Sequence, residues 1–335
     1  MSLKAVVVGA GGISNSWFPN LATEGVDVCG IVDVNLDNAH NQAKKYDISP
    51  YISDDLQATL AKIKPDFVVD LTPPEFHYQT TCTALQAGCH VIGEKPMAAS
   101  MDQARQMVKA ADDAGKLYMV SQSRRYFPLN HALALDLRKG ALGPLTTVNC
   151  AFYIGAHFGG FRDQMDSPLI LDMAIHHFDM ARMISGTDPI AVYAREFNPQ
   201  GSWYAGDVAA SCIFEMTNGL IFTYTGSWCA EGMHTSWQGD WRFIGVKGTI
   251  TYERDQHPTG EIVTGDSGFH RPTAPITVEP VEVAMGQHGA IREFLAAING
   301  GPLPQGDCHD NIKSLAMVFA AIESSRHNCR VEIKI

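Results

Sequence analysis

The sequence predicts an α/β protein: a doubly wound parallel sheet at the N-terminal end, then an α+β region built on a large, mostly antiparallel open sheet. Three observations carry this expectation. Short β-branched runs alternate with helix-like segments through the first third of the chain. A glycine-rich turn follows the first of those runs. Farther on, the apolar runs lengthen and alternate with polar residues, as strands covered on one face do. We place the division at residues 1–122 and 123–335. A chain of 335 residues has enough length for two cores.

The first-half strands are expected at 4–9, 26–34, 67–71, 90–92 and 117–120, each short and apolar enough to be buried on both faces. Helix ends between them are legible. Ser100-Met101-Asp102-Gln103 is a capping-box pattern, in which the serine accepts from the third backbone N–H and the glutamine reaches back. That helix should stop at Gly115, and the helix from Pro74 to Ala87 at Gly88, because a left-handed glycine costs little. In the second half, strands are expected at 145–154, 190–197, 207–216 and 220–228. Asn218-Gly219 favours a type I′ hairpin between two of them, and Val246-Lys247-Gly248 suggests another. The stretch 259–280 is rich in Gly and Pro, has no clear period, and should be the least ordered part.

Composition narrows the partners. The formal net charge of −11 disfavours nucleic acid, which needs a clustered basic surface. No apolar run approaches the roughly 20 residues of a membrane span. Met1-Ser2-Leu3-Lys4-Ala5 runs directly into Val6-Val7-Val8, unlike a secretory signal, so a cytoplasmic protein is expected. The eight cysteines form no C-x-x-C and sit mostly in apolar segments, which suits reduced core thiols. No spacing suggests a metal site.

The turn Gly9-Ala10-Gly11-Gly12-Ile13-Ser14 carries chemistry. Gly9 and Gly11 fit the first two places of G-x-G-x-x-G, where the first glycine makes the turn and the second lets backbone approach a pyrophosphate at a helix N-terminus. Ser14 takes the third place, usually Gly or Ala, with a side chain still small enough for close packing. The second strand then reaches Asp33, 22 residues past Gly11. An acidic residue there suits the adenosine ribose hydroxyls and repels a 2′-phosphate, so the expected cofactor is NAD rather than NADP. A plain turn residue is the alternative for Asp33.

Three later segments are more specific. They are Asp70-Leu71-Thr72-Pro73-Pro74-Glu75-Phe76-His77, Gly93-Glu94-Lys95-Pro96, and Leu171-Asp172-Met173-Ala174-Ile175-His176-His177-Phe178-Asp179. In this order and spacing the chain resembles the Gfo/Idh/MocA family, the relatives of glucose-fructose oxidoreductase and inositol dehydrogenase. The resemblance runs over nearly the whole chain, from Phe18-Pro19 to the closing helices at 290–298 and 311–325. It implies that Lys95 faces the nicotinamide ribose and the reacting hydroxyl. Glu94, Thr72, Pro73 and His77 would line the cofactor; His77 alone could equally cap a helix. Asp172 and His176, four residues apart, share one helix face. With Lys95 they form the implied catalytic set, while Met173, Met180 and Ile184 would anchor the helix, Asp179 would orient the imidazole, and His177 would be structural. The family often has glycines just before this helix; Asp166-Ser167-Pro168-Leu169 stands here instead, which affects the substrate pocket.

The reaction implied is hydride transfer between NAD and a secondary alcohol of a sugar, inositol or related polyol. A non-catalytic NAD-binding regulator and an NAD-assisted elimination or glycosidic cleavage are the alternatives on this fold. The resemblance also implies a homodimer or homotetramer through the second sheet. The segments 155–168 and 227–241, with His157, Trp228, His234 and Trp237, suit either a sugar ring or a subunit interface.

Overall fold

The computed structural model describes residues 2–335. The chain forms two compact units: one runs to Tyr126 and adds Ala284–Leu315, the other is Phe127–Val283 with Ala316–Ile335.

In the first unit, strands and helices alternate: β1 (Lys4–Val8), α1 (Phe18–Thr23), β2 (Asp27–Val32), α2 (Leu36–Lys45), β3 (Tyr51–Ser53), α3 (Leu56–Ile63), β4 (Phe67–Asp70), α4 (Pro74–Gln86), β5 (His90–Gly93), α5 (Met101–Ala114) and β6 (Tyr118–Val120). The six strands are parallel, in the order β3-β2-β1-β4-β5-β6. Sequential order reverses between β1 and β4, the place where open α/β sheets take ligands. Apart from the exposed Lys4 and the buried Asp70, the residues of the central strands β1 and β4 are apolar and buried, as sandwiching between helices demands. The three residues of β3 carry too little apolar signal to be seen in the sequence.

The second unit contains α6 (Pro128–Arg138), β7 (Leu145–Tyr153), α7 (Ile175–Ser185), β8 (Pro189–Phe197), β9 (Ala209–Met216), β10 (Ile221–Ser227), β11 (Asp240–Gly245), β12 (Gly248–Tyr252), β13 (Thr259–Val263) and β14 (Thr273–Thr277). With β15 (Val331–Glu332) they make a nine-stranded sheet, β14-β13-β12-β11-β7-β10-β9-β8-β15, antiparallel except where β10 meets β7. Asn218 (φ 61°, ψ 19°) and Gly219 (φ 74°) make the left-handed turn that Asn-Gly predicts. Residues 259–280 are not the loose segment expected: β13 and β14 pair there to extend the sheet edge. One face of the sheet holds the core, with Phe178 of α7 at 4.8 Å from Phe214 and 5.3 Å from Tyr224. The other face leaves Ile190, Tyr193, Phe197 and Ile213 exposed.

Two helices close the chain, α8 (Gln287–Ile298) and α9 (Cys308–His327). The sequence reading put both in the second region, whereas residues 284–315 fold with the first unit. The cause is α8's apolar face: Ala290, Ile291, Phe294 and Leu295 are buried in the same core as Trp17, and Phe294 packs at 5.3 Å on Phe67 of β4. Helical periodicity shows which face is buried but not which sheet buries it.

Candidate active site

The carboxyl ends of the parallel strands bring the first set of residues together. Backbone bonds tie the edge in sequence: Gly9 N to Val32 O, Leu71 N to Val8 O, and Glu94 N to Asp70 O, at 2.8, 2.8 and 3.0 Å. Gly9 has φ +92°, and a Cβ there would lie 2.7 Å from the Leu71 carbonyl, so the turn requires glycine. A Cβ on Gly11 or Gly12 would meet nothing within 4 Å. Ser14 is fully buried and donates to Gly11 O at 2.6 Å, the close packing its small size permits. The chain leaves this turn as a 3-10 segment (Gly12–Ser16) before the six-residue α1, rather than entering a long helix directly. Ile13 stands exposed on it.

Asp33 is held at the end of β2. Its Oδ2 accepts from Ala10 N at 2.6 Å and its Oδ1 from Asn35 N at 2.8 Å. The carboxylate thus fastens the second strand to the glycine turn. Exposed backbone at Gly11 and Gly12 beside a fixed carboxylate fits an adenine dinucleotide: the turn has room for a pyrophosphate and Asp33 for the ribose hydroxyls.

The next loops are braced by buried polar groups. Asp70 is fully buried; burial raises its pKa, while His77 and hydrogen bonds from Thr72 and Thr81 act the other way. Its Oδ1 accepts from Thr72 Oγ1 at 2.6 Å and its Oδ2 from Thr81 at 3.0 Å. Pro73 starts α4. His77 is buried with Nδ1 2.8 Å from Pro96 O and Nε2 2.7 Å from Thr72 O. It straps the Thr72 loop to the Glu94–Pro96 loop, which neither reading of it anticipated. Glu94 points to Trp17, whose Nε1 donates to Oε1 at 2.8 Å. Lys95 is half-buried and joined to Pro96 by a cis peptide bond.

In the second unit, Asp172 and His176 do not share one regular α-helix. Leu169–Ala174 is a π-helical turn that continues into α7, so Asp172 lies on the wide turn and His176 in the first α turn. Such turns recur at functional sites. Of residues 169–184, all are buried except Leu171, Asp172 and His176, which are partly exposed. Met173, Met180 and Ile184 anchor the core side, and Asp179 is buried. His177 is fully buried, 4.8 Å from Phe152 and 5.5 Å from Tyr224.

Arg162, which sequence reasoning missed, donates from Nε to Asp172 Oδ2 at 2.7 Å. It sits in a 3-10 turn (Gly160–Gln164) within a loop whose His and aromatic content was its sole signal. In that region His157 stacks on Trp203 at 3.7 Å and pairs with Glu231 at 2.8 Å, and Phe158 packs on Trp228 at 5.1 Å. Elsewhere, Asp307, Cys308 and His309 bring three ligand-type atoms within 4.8 Å of one another. They are occupied as the start of α9: Asp307 Oδ1 accepts from His309 N at 3.0 Å and contacts its Nδ1 at 2.7 Å, while Nε2 reaches Asp112 at 2.9 Å. No helix among the described residues is long and apolar enough to cross a membrane.

Comparison with known proteins gives the same assignment as the residues. Residues 3–122 match the oxidoreductase family with an NAD-binding Rossmann fold, and residues 134–251 match the GFO/IDH/MocA C-terminal domain. The chain is 32% identical to a D-glucoside 3-dehydrogenase of Escherichia coli over 60% of its length and 59% of that protein's. It is 26% identical to an inositol 2-dehydrogenase of Rhizobium meliloti over 80% and 81%. An oxidoreductase from Agrobacterium radiobacter, solved with NAD+, L-tartaric acid and magnesium, shares its fold at a TM-score of 0.87 and 21% identity, covering 99% of both chains. The chain belongs to the Gfo/Idh/MocA family of oxidoreductases and carries that family's NAD-binding Rossmann fold.

Proposed function

We propose that the protein is an NAD-dependent dehydrogenase that oxidises a secondary alcohol of a sugar, inositol or related polyol, reversibly. The observation that carries the reading is the exposure pattern of 169–184: apart from Leu171, the residues left partly open are a carboxylate and an imidazole, Asp172 and His176. The names of the relatives, a glucoside and an inositol dehydrogenase, support the substrate class.

When bound, NAD supplies the hydride acceptor. His176 removes the hydroxyl proton, a task suited to an imidazole near neutral pH. Asp172 accepts a hydrogen bond from the substrate and fixes its orientation. Lys95 places positive charge against the developing alkoxide. Gly9, Gly11, Gly12, Ile13 and Ser14 shape the pyrophosphate turn, and Thr72, Pro73 and Glu94 the nicotinamide end. His77 holds those last loops in register. Asp33 receives the ribose hydroxyls, and its charge opposes a 2′-phosphate.

The test is a panel of neutral polyols, inositols, aldoses and sugar acids followed by NADH absorbance, with NAD and NADP titrated in parallel. Turnover on a polyhydroxylated substrate is expected, with NAD bound at least tenfold tighter, about 1.4 kcal/mol. Tight NAD binding without turnover on any of them would instead favour a regulator. Equal or tighter NADP binding would overturn the role of Asp33.

A further inference from the structure

Arg162 is an unusual arginine. Its Nε is committed to Asp172 at 2.7 Å, and its guanidinium carbon lies 5.1 Å from the Phe158 ring centre and 4.7 Å from that of Phe161. One carboxylate and two phenyl rings therefore fix the group. Neither terminal nitrogen donates to any described residue, although the side chain is only 33% exposed. A guanidinium carries five N–H donors and keeps its charge at any physiological pH. Here one is used, and the four on the terminal nitrogens form a fork held in place beside a proposed catalytic carboxylate. Little conformational freedom is left for a ligand to remove.

We propose that Arg162 is a substrate-binding residue whose terminal nitrogens grip two neighbouring hydroxyl oxygens of a neutral, ring-shaped polyol. The inference rests on the dehydrogenase reading and narrows its substrate class. A carboxylate would also fit the fork. The guanidinium, however, already carries the carboxylate of Asp172, itself only 16% exposed, and a second carboxylate would leave this partly buried cluster with a net negative charge. Hydroxyl oxygens use the same donors without that cost. Phe158 and Phe161, 45% and 67% exposed, supply apolar faces that match the C–H surface of a ring. Sugar acids are thereby disfavoured relative to neutral cyclic polyols.

The experiment uses the full-length protein with NAD, the best neutral polyol of the panel, its mono-deoxy analogues, and the corresponding uronic acid. Arg162→Lys retains a positive charge for Asp172 but loses the fork. It is expected to raise KM at least tenfold while kcat falls less than threefold. Arg162→Met should depress both and leave NAD affinity within error; it also lowers the melting temperature by removing the positive partner of Asp172, a loss that Arg162→Lys avoids. Removing a hydroxyl next to the reacting one should raise KM in the wild type and make little further difference in either variant, since the partner is already gone. Calorimetric polyol binding to the NAD-bound forms should follow KM. An unchanged KM in Arg162→Lys, a deoxy penalty equally large in the variants, or preference for the uronic acid would overturn the proposal while the dehydrogenase reading stands. A wild-type protein that neither binds nor oxidises any polyol would overturn both.

Discussion

Glu196 lies buried on β8, where Ser167 donates to its Oε2 at 3.2 Å. Burial, reinforced by Asp207, pushes its pKa up from 4.5 to about 7, against the opposing Ser167 bond and Arg326. The sign of its effect on stability follows from linkage. Below about 4.5 the carboxyl is protonated in both states and costs nothing; between 4.5 and 7 only the unfolded chain ionises, and stability is lost; above 7 the loss is constant. The difference corresponds to roughly 3 kcal/mol. Glu196→Gln should therefore match the wild type in melting temperature near pH 4.5, gain on it through neutrality, and hold a constant lead at pH 8. A lead that is equal at every pH would show that ionisation is not the cause. Such a residue is invisible in the sequence, where Arg-Glu-Phe in an alternating strand reads as solvent-facing charge. Asp33 was singled out by its spacing from the glycine turn and Lys95 through the family resemblance; Arg162 had neither signal, since its meaning comes from contact with Asp172 across ten residues of loop.

Caps and turns were the most readable features among the elements. Ser100 caps α5, accepting from Gln103 N at 3.3 Å, and Gly115 closes it in the left-handed conformation. The reciprocal half of the predicted capping box is missing: Gln103 Oε1 is buried without a hydrogen-bond partner. The π turn at Leu169–Ala174 had no sequence signature, because Asp-x-x-x-His reads the same whichever helix bears it. The glycine turn offers the sharpest test at this scale. Gly9→Ala must place a methyl group 2.7 Å from the Leu71 carbonyl at φ +92°. We expect a loss of about 2 kcal/mol or more in denaturant unfolding, with weaker NAD binding, because strain and collision act together. Wild-type stability in that variant would mean that the β1 turn is far more pliable than its contacts indicate.

For the whole molecule, the alternation of strands and helices specified the parallel sheet, and the lengthened alternating runs specified the second one. The return of 284–315 to the first unit escaped notice because it depends on a tertiary choice by α8. The exposed apolar residues of the second sheet, Ile190, Tyr193, Phe197 and Ile213, sit on one face of adjacent strands β8 and β9. A patch of this kind is characteristic of an interface. An even-numbered oligomer is expected by light scattering, and Ile213→Glu should shift it toward lower mass; a wild-type mass near 36.5 kDa at micromolar concentration would contradict this. The central claim is catalytic, and single-turnover kinetics of His176→Ala with the best polyol of the panel tests it most directly. Loss of the proton acceptor should slow hydride transfer by roughly 10²–10⁴-fold while NAD affinity stays nearly unchanged. A rate within a few-fold of the wild type would contradict the account.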